Sequence, residues 1–342
     1  MVGMSEPYQY IFGPLVNVGL AEERCELGTA SVRKMEGAAL EKLWRWMQDQ
    51  NTDAARHWVH DKAPSEAAFV VKDHRIDEVC RKIESSSLDE KLGVGEIYDV
   101  ELKGSSSFDR DVLWRERVAL NLSFDVEIGT PVVFYSDDFP EMTEGRGGQL
   151  WEGPDIGEDW EWMIPGRGQQ INESSASAIS VMLPQLLGEE LDKHPWLRRA
   201  LDAYDKASRL SRESEDQWLD YWKAIEALLT VGAAAGDKLA RRVAVLVGTT
   251  EKERNQIYTQ VDNMYGVRSK NLHRAQPIGN AAEALRELRR YARRSILMTL
   301  DVSRSVNSNR GWESWCETLL QPGHKDLSEE IRHIRSRWSA VW

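Results

Sequence analysis

The chain has 342 residues, of which 41% are hydrophobic and 29% are charged, and its formal net charge is −12. This length exceeds an average domain of roughly 100 to 200 residues and predicts two domains. The composition is that of a globular protein, and the acidic balance argues against a protein that coats nucleic acid over its whole surface. No apolar run approaches the about 18 residues that a membrane helix needs.

The N-terminal residues contain no apolar segment of the kind found in a secretory signal. Residues 1–20 are broken by Glu6, Pro7 and Pro14, which predicts a cytoplasmic protein without membrane association. The cysteines lie far apart in the sequence, at Cys25, Cys80 and Cys316. They form no metal or redox motif, so reduced thiols and no structural zinc are expected.

The charge is divided unevenly along the chain. Residues 195–305 hold 20 basic and 14 acidic residues, a net of +6, whereas the remainder holds 24 and 42, a net of −18. Two interpretations stay open: a basic module with a polyanion site beside an acidic module that moderates access to it, or uneven surface charge without a role.

The N-terminal 190 residues have the pattern of a mixed α and β domain. Apolar and polar residues alternate most clearly at Val118–Ile128, which predicts a half-buried strand. The turn at Gly129–Pro131 then predicts a hairpin with a second strand at Val132–Tyr135. Further strands are predicted at Tyr8–Phe12, Ala68–Val71 and Glu96–Leu102, and helices at Ala38–Gln50 and Ile76–Ile83.

Pro140–Gln170 is rich in glycine and acidic residues and predicts a long irregular loop or mobile flap. In or beside it are Trp151, Trp160 and Trp162, which either pack the loop onto its domain or stack on nucleobases. Three histidines occur upstream of the loop, at His57, His60 and His74. No acidic or sulfur ligand stands at a recognisable spacing from them, so no metal site is predicted.

From Pro195 onward, apolar residues recur at the spacing of an α-helix, which predicts a series of successive helices. Helices are predicted at 196–209, 213–231, 237–247, after the capping box of Thr250 and Glu253, and from Asn280 to about Ser305. Apolar stripes on these helices are Trp218, Trp222, Ile225 and Leu229; Leu239, Val243 and Leu246; Ile257, Val261, Met264 and Tyr265; and Leu285, Leu288, Ala292, Ile296 and Thr299. Residues 312–342 predict two short helices divided at Pro322–Gly323, packed on the body or on another subunit.

The last long helix has a second, basic arc opposite its apolar stripe. It is formed by Arg286, Arg289, Arg290, Arg293 and Arg294. Such an arc can follow a phosphate backbone, and Arg286, Arg290, Arg293 and Arg294 are the candidate RNA-binding residues. The alternative is a solvated face held by salt bridges.

The stretch Tyr265–Arg274, which reads YGVRSKNLHR, is the best chemical clue in the chain. Arg268 is a permanent cation, and His273 can exchange a proton near neutral pH; both are useful around a phosphodiester. Taken alone, such a pair is far more often a surface ion pair and an ordinary histidine than a catalytic pair, because such short patterns recur by chance.

In this helical context the chain resembles the HEPN superfamily, in particular its Apea-like branch. The resemblance covers about 195–305 and rests on Trp222-Lys-Ala-Ile-Glu226-Ala-Leu-Leu, a Leu/Val-rich helix, and Met264-Tyr265-Gly-Val-Arg268-Ser-Lys-Asn-Leu-His273. It implies an all-α bundle and a metal-independent endoribonuclease without a cofactor. The implied catalytic residues are Arg268 and His273, with supporting roles for Glu226, Ser269, Lys270 and Asn271.

Together these features predict an α+β protein with three parts: an N-terminal sensing or regulatory domain (1–190), a HEPN helical bundle (195–305) and a helical tail (306–342). The resemblance implies a phage-defence, abortive-infection or toxin setting. RNA, a second copy of the chain, and a regulatory protein or phage trigger are its implied partners. The alternative is a non-catalytic HEPN module that binds nucleotide or RNA or acts as a scaffold.

Helix geometry sets a condition on this site. On one uninterrupted helix, five residues turn about 500°, so positions 268 and 273 stand about 140° apart. Either Gly266 disturbs the helix or two copies of the motif face each other, as in the dimers that HEPN enzymes form. Two departures from the family also matter: Ser269 offers only a hydroxyl where Asn, Asp or His is common, and Ala275 replaces the tyrosine that a nucleotidyltransferase antitoxin modifies.

Overall fold

A computed structural model shows an α+β chain that divides into two compact units. Unit 1 comprises residues 1–120 and 126–183, and unit 2 comprises residues 121–125 and 184–342. The structure describes residues 10–15, 18–20, 24–26, 31–49, 66–73, 115, 118–124, 132–136, 147–152, 169–171, 173–182, 186, 191–209, 215–229, 236–274, 281–306, 308–320, 325–339 and 342. Unit 2 includes the predicted tail and takes in residues 121–125 from the N-terminal half.

Unit 1 is built on an antiparallel sheet. Its described strands are β1 (Tyr10–Leu15), β2 (Val18–Leu20), β3 (Arg24–Glu26), β4 (Ser31–Glu36), β5 (Glu66–Asp73), β6 (Val132–Ser136), β7 (Gly147–Glu152) and β8 (Gln169–Ile171). Six of these form the sheet in the order β3-β4-β5-β1-β6-β7, and β2 pairs in parallel with β8. Strand β1 is central: Tyr10 aligns with Asp73 of β5 on one side and with Ser136 of β6 on the other.

Helix α1 (Gly37–Asp49) follows β4 directly and packs on β4 and β5. The turn into it begins at Gly37, whose φ of 59° lies in the left-handed region that favours glycine. Leu40, Leu43, Trp44 and Met47 are buried at the i, i+3, i+4 and i+7 positions of an amphipathic helix. Helix α2 (Glu173–Met182) ends the described part of this unit.

Several predicted elements of unit 1 are confirmed. The strands predicted at 8–12, 68–71 and 132–135 match β1, β5 and β6, and the helix predicted at 38–50 matches α1. The predictions at 76–83 and 96–102 lie outside the described residues, as do Cys80, the three histidines, Trp160 and Trp162.

The strand predicted at Val118–Ile128 is wrong where the structure describes it, because residues 118–123 are helical. Consequently β6 pairs with β1 and β7 and not with a hairpin partner at 118–128. Alternation indicates a strand only when one face meets solvent. Here Ala119, Asn121 and Ser123 are buried together with their apolar neighbours. The alternation of apolar and polar residues therefore does not distinguish a strand from a helix in this segment.

The loop predicted at 140–170 is also wrong in part. It contains β7, which extends the sheet beyond β6, and most of β8. Trp151 stands within β7. Glycine and acidic residues are depleted in strands, and backbone pairing with β6 outweighs that preference here.

Unit 2 is an assembly of helices. They are α3 (Pro195–Arg209), α4 (Glu215–Leu229), α5 (Gly236–Val247), α6 (Glu251–Arg274), α7 (Ala281–Ser303), α8 (Asn309–Thr318) and α9 (Lys325–Arg337). Each predicted helix is present, including the two of the tail. Helix α4 lies against α3, α5 and α7, and α7 also lies against α3, α5 and α9.

The core of unit 2 follows the predicted stripes. Trp218, Trp222, Ile225 and Leu229 of α4 are buried, as are the predicted residues of α5 and α7. On α6 the stripe changes along its length, from buried Ile257 and Val261 to half-buried Met264 and Tyr265. None of the described helices combines the length and the apolar character that crossing a membrane requires.

A buried arginine joins α4, α5 and the tail. The side chain of Arg242 is 1% exposed; its Nη1 donates to Leu229 O at 2.6 Å and its Nε to Cys316 O at 3.2 Å. Nη2 donates to a carboxylate oxygen of Glu317 at 2.7 Å. The guanidinium therefore donates to a carbonyl at the C-terminus of α4, where no intrahelical N–H group is available. Through its bonds to Cys316 O and Glu317 it also connects α8 to α4.

Replacing this arginine by Arg242→Met is expected to destabilise the protein by about 3 kcal/mol, because buried carbonyls lose their donors. Urea unfolding monitored by tryptophan fluorescence measures the change. Arg241→Met is the matched control, since Arg241 is exposed and pairs with Asp237 at the helix surface. Equal unfolding midpoints for the two variants would contradict this account of Arg242.

Candidate functional site

The motif YGVRSKNLHR occupies the C-terminal part of α6, which is one continuous helix from Glu251 to Arg274. The predicted capping box opens this helix: the Glu253 amide donates to Thr250 Oγ1 at 3.2 Å. The carboxylate of Glu253 reaches one residue further back than in the usual box, accepting from Thr249 N at 2.8 Å. The capping residues thus determine where α6 begins. Because the helix is continuous, they also determine the face of the helix on which each residue of the motif lies.

Arg268 continues the buried face of α6. It follows Ile257 by 11 residues and Val261 by 7, which are three and two helical turns. Both of those residues are buried, whereas the Arg268 side chain is 20% exposed. The arginine therefore lies where the apolar stripe reaches the edge of the helix assembly.

Arg268 forms an ion pair with Glu226 of α4. Its Nη2 lies 2.7 Å from Glu226 Oε2, and the two side chains are 20% and 21% exposed. Such a charge-assisted hydrogen bond is stronger than one at the surface, because water competes less for either group. The two residues that the family resemblance marks as catalytic and supporting are brought together across 42 positions of sequence.

Aromatic rings hold the arginine in place. The Arg268 guanidinium carbon lies 5.5 Å from the centroid of the Tyr265 ring, within reach of a cation–π interaction. Tyr265 meets the buried Trp222 edge to face, with centroids 5.5 Å apart and planes at 78°. A Cβ added at Gly236 would lie 3.4 Å from the Tyr265 ring, so the start of α5 packs against the same ring.

The environment of Glu226 opposes its ionisation and Arg268 favours it. Burial raises the pKa of the Glu226 carboxyl, the Arg268 charge and hydrogen bond lower it, and the net result is above the ordinary value of 4.5. Since the folded-state pKa exceeds the unfolded one, this carboxyl favours folding at low pH. That contribution is lost as the pH rises through the folded-state pKa.

His273 belongs to the last turn of α6, and its side chain lies outside the described part of the chain. The expectation that Gly266 disturbs the helix is wrong: α6 passes through it without interruption, and an added Cβ would meet nothing within 4 Å. Position 273 therefore stands about 140° around the axis from Arg268. It shares an arc with the exposed residues Asn255 and Asp262.

Of the remaining supporting residues, the structure describes only the side chain of Ser269. Ser269 is half-buried, next to Arg268 on the helix. The side chains of Lys270 and Asn271 lie outside the described residues.

The four candidate RNA-binding arginines of α7 do not form one exposed surface. Arg286 is exposed, but Arg290 pairs with Glu287 of its own helix. Arg293 is 3% exposed and its Nη1 donates to Leu122 O at 3.0 Å. Arg294 lies over the ring of Trp342, 4.9 Å from its centroid. The interpretation of Arg293 as a surface contact is wrong, because the group is buried and bound to backbone.

The aromatic support of Arg268 is the part of the site that sequence reasoning missed. Its signal was present: Trp222 precedes Glu226 by four residues, and Tyr265 precedes Arg268 by three. Each charged residue thus has an aromatic residue one turn earlier on the same face of its helix.

No protein-family model matches the chain, and comparisons with curated proteins and with solved structures find no match. Within the described residues, no group of three or more histidine, cysteine, aspartate or glutamate side chains could hold a metal ion. The resemblance to the HEPN superfamily therefore stays a prediction from the sequence.

Removing the counter-charge is expected to raise the pKa of Glu226 further. In Arg268→Met, burial still disfavours the carboxylate while the opposing attraction is lost. A pH titration of the ¹³C carboxyl resonance measures this, with Glu226→Gln identifying the signal. Arg304→Met, at an exposed arginine, should leave the titration unchanged. A fall of the Glu226 pKa in Arg268→Met would contradict the assignment of the pair.

Proposed function

We propose that unit 2 is a HEPN-type bundle and that the protein is a metal-independent endoribonuclease acting on single-stranded RNA. The observation that carries the proposal is the Glu226–Arg268 ion pair on an aromatic support, at the end of the helix that contains His273. Cleavage of a phosphodiester needs both a cation and a proton carrier, and Arg268 and His273 supply one group of each kind from the same helix.

In the proposed reaction, neutral His273 accepts the proton of the ribose 2′-hydroxyl. The 2′-oxygen then bonds to phosphorus, the bond from phosphorus to the 5′-oxygen breaks, and protonated His273 returns a proton to that oxygen. The products are a 2′,3′-cyclic phosphate and a 5′-hydroxyl. DNA is not cut, because it lacks the 2′-hydroxyl.

Arg268 stabilises the negative charge that develops on the nonbridging phosphate oxygens. Glu226 holds Nη2 and leaves Nη1 without a bond to any described residue. A planar guanidinium fixed at one side presents its other N–H groups in a defined direction, as binding of phosphate oxygens requires. Glu226 is thereby a positioning residue and Arg268 the residue that touches substrate.

The continuity of α6 favours a site made by two copies of the chain. Because positions 268 and 273 stand about 140° apart on one helix, a single copy does not direct both toward one phosphate. Two copies of α6 related by a two-fold axis bring the exposed arc of one helix beside the other. A homodimer and an RNA strand are the partners of this proposal, and phage defence or toxin action, released by a regulatory protein or phage trigger, is its setting.

Cleavage of a labelled single-stranded RNA in EDTA tests the activity. Wild type is expected to cut, and Arg268→Ala and His273→Ala are each expected to lose activity by about 100-fold or more. Arg304→Ala and His333→Ala are matched controls, since both side chains are exposed elsewhere on unit 2. Equal cleavage by wild type and both site variants would refute the enzyme; RNA binding without cleavage would favour the non-catalytic alternative.

Mixing wild type with an inactive double variant tests the shared site. With a roughly ninefold excess of Arg268→Ala/His273→Ala, exchange of subunits should lower activity per wild-type chain about tenfold, because most wild-type chains then pair with an inactive copy. The control is the same excess of the double variant added to wild type without time for exchange. Unchanged activity after full exchange would place the whole site within one chain.

A further inference from the structure

Tyr265 carries a hydroxyl group on the aromatic ring that supports Arg268. The tyrosine precedes the arginine by three residues on α6, so the two side chains share one face of the helix. The Arg268 guanidinium carbon lies 5.5 Å from the centroid of the Tyr265 ring. The hydroxyl and the guanidinium therefore belong to two side chains that are already in contact.

The Tyr265 ring is held by its neighbours without the help of its hydroxyl. Trp222 meets the ring edge to face, with centroids 5.5 Å apart, and Trp222 is itself fully buried. A Cβ added at Gly236 would lie 3.4 Å from both Cδ1 and Cε1 of the ring. Contacts with close-packed neighbours restrict the side-chain torsions of a residue. Packing therefore fixes the direction in which the hydroxyl points.

The Tyr265 hydroxyl makes no hydrogen bond to any residue in the described part of the chain, and it is not buried. Three other tyrosines of unit 2 differ in this respect. Tyr204 donates to Asn121 O at 3.2 Å, Tyr258 donates to Asp237 Oδ1 at 2.8 Å, and Tyr291 donates to Gln260 Oε1. The hydroxyl of Tyr265 is therefore open to a ligand, whereas those three are engaged in the fold.

The nitrogens of Arg268 differ in their access to a ligand. Nη2 donates to Glu226 Oε2 at 2.7 Å, and Nε is buried without a partner among the described residues. Nη1 is neither bonded to a described residue nor buried. Nη1 and the Tyr265 hydroxyl are thus two unbonded and accessible donors on this pair of contacting side chains.

We propose that Tyr265 is a substrate-binding residue: its hydroxyl donates to one nonbridging oxygen of the RNA phosphate whose other nonbridging oxygen accepts from Arg268 Nη1. This inference rests on the proposed ribonuclease function. A phosphate suits the pair because hydrogen bonds of about 2.8 Å on either side of it join donors that are roughly 6 to 8 Å apart. The hydroxyl adds a second donor without adding a second positive charge, so it needs no further carboxylate beside Glu226.

Tyr265→Phe is the informative substitution, because it removes the hydroxyl and keeps the ring. The hydroxyl has no partner in the described part of the chain, so the Tm of the full chain and the titration of Glu226 should stay as in wild type. Tyr265→Leu also removes the ring and should shift the titration of Glu226, because the guanidinium loses its aromatic support. Tyr258→Phe is the matched control, since it removes a hydroxyl of the same helix that is bonded to Asp237.

Two measurements use the full chain in EDTA: cleavage of a labelled single-stranded RNA of mixed sequence, and binding of its 2′-O-methyl form by fluorescence anisotropy. The 2′-O-methyl strand keeps the phosphates and lacks the nucleophile. Tyr265→Phe should lower kcat by about 10- to 100-fold, because negative charge on the phosphate oxygens grows in the transition state. It should weaken binding of the 2′-O-methyl strand about fivefold, as expected for one lost hydrogen bond. Tyr258→Phe should match wild type in both measurements.

Wild-type cleavage and binding in Tyr265→Phe would overturn the proposal, and so would a lower Tm of that variant, which would make the hydroxyl structural. A higher KM with unchanged kcat would also overturn it, because the contact would then lie away from the reacting phosphate. If wild type cuts no RNA, the ribonuclease proposal fails and binding of the 2′-O-methyl strand decides. Weaker binding by Tyr265→Phe than by Tyr258→Phe then supports a phosphate contact in a non-catalytic site, and equal binding overturns it.

Discussion

The burial of α4 is the constraint on which unit 2 depends. Helices α3, α5 and α7 lie against it, and its buried residues include Trp218, Tyr221, Trp222 and Leu228. A helix covered on so many sides has few positions at which a charged group can remain, since an unpaired buried carboxylate is costly. Glu226 occupies one of these positions at the edge of the packing. Its pairing with Arg268 therefore follows from the packing as much as from the attraction between the charges.

Helix α6 has an arginine near each end, Arg254 and Arg268, and the two arginines have different partners. At its C-terminal end, Arg268 has a carboxylate partner and an aromatic support. At its N-terminal end, Arg254 shares a carbonyl with another arginine, and the nearby carboxylate of Glu253 is engaged with backbone and hydroxyl groups. Arg268 is therefore held by a carboxylate of another helix, whereas Arg254 is held by a main-chain carbonyl at the end of α5.

Two errors of sequence reasoning have one structural cause. The segment at 118–128 was predicted as a strand and Arg293 as a surface cation, yet Arg293 donates to Leu122 O and Tyr204 donates to Asn121 O at 3.2 Å. These donors satisfy carbonyls at the end of a short helix that is buried on all sides. Neither the alternation of residues 118–128 nor the 100° period of α7 contains that information, because both describe one segment at a time.

The sequence by itself determined the helices of unit 2, three of the strands and α1. Their apolar periods, the capping residues at Thr250 and Glu253, and the break at Pro322–Gly323 are local signals, and local signals survive in any compatible fold. It also singled out Glu226, Arg268 and His273 as a set. Only the tertiary structure decided that Glu226 and Arg268 touch, that α6 is continuous through Gly266, and that Arg254 and Arg335 donate to one carbonyl. The contacts among these facts depend on which helices become neighbours, and neighbours distant in sequence are chosen by the packing of the whole unit. The continuity of α6 was open because glycine disfavours a helix interior without excluding it.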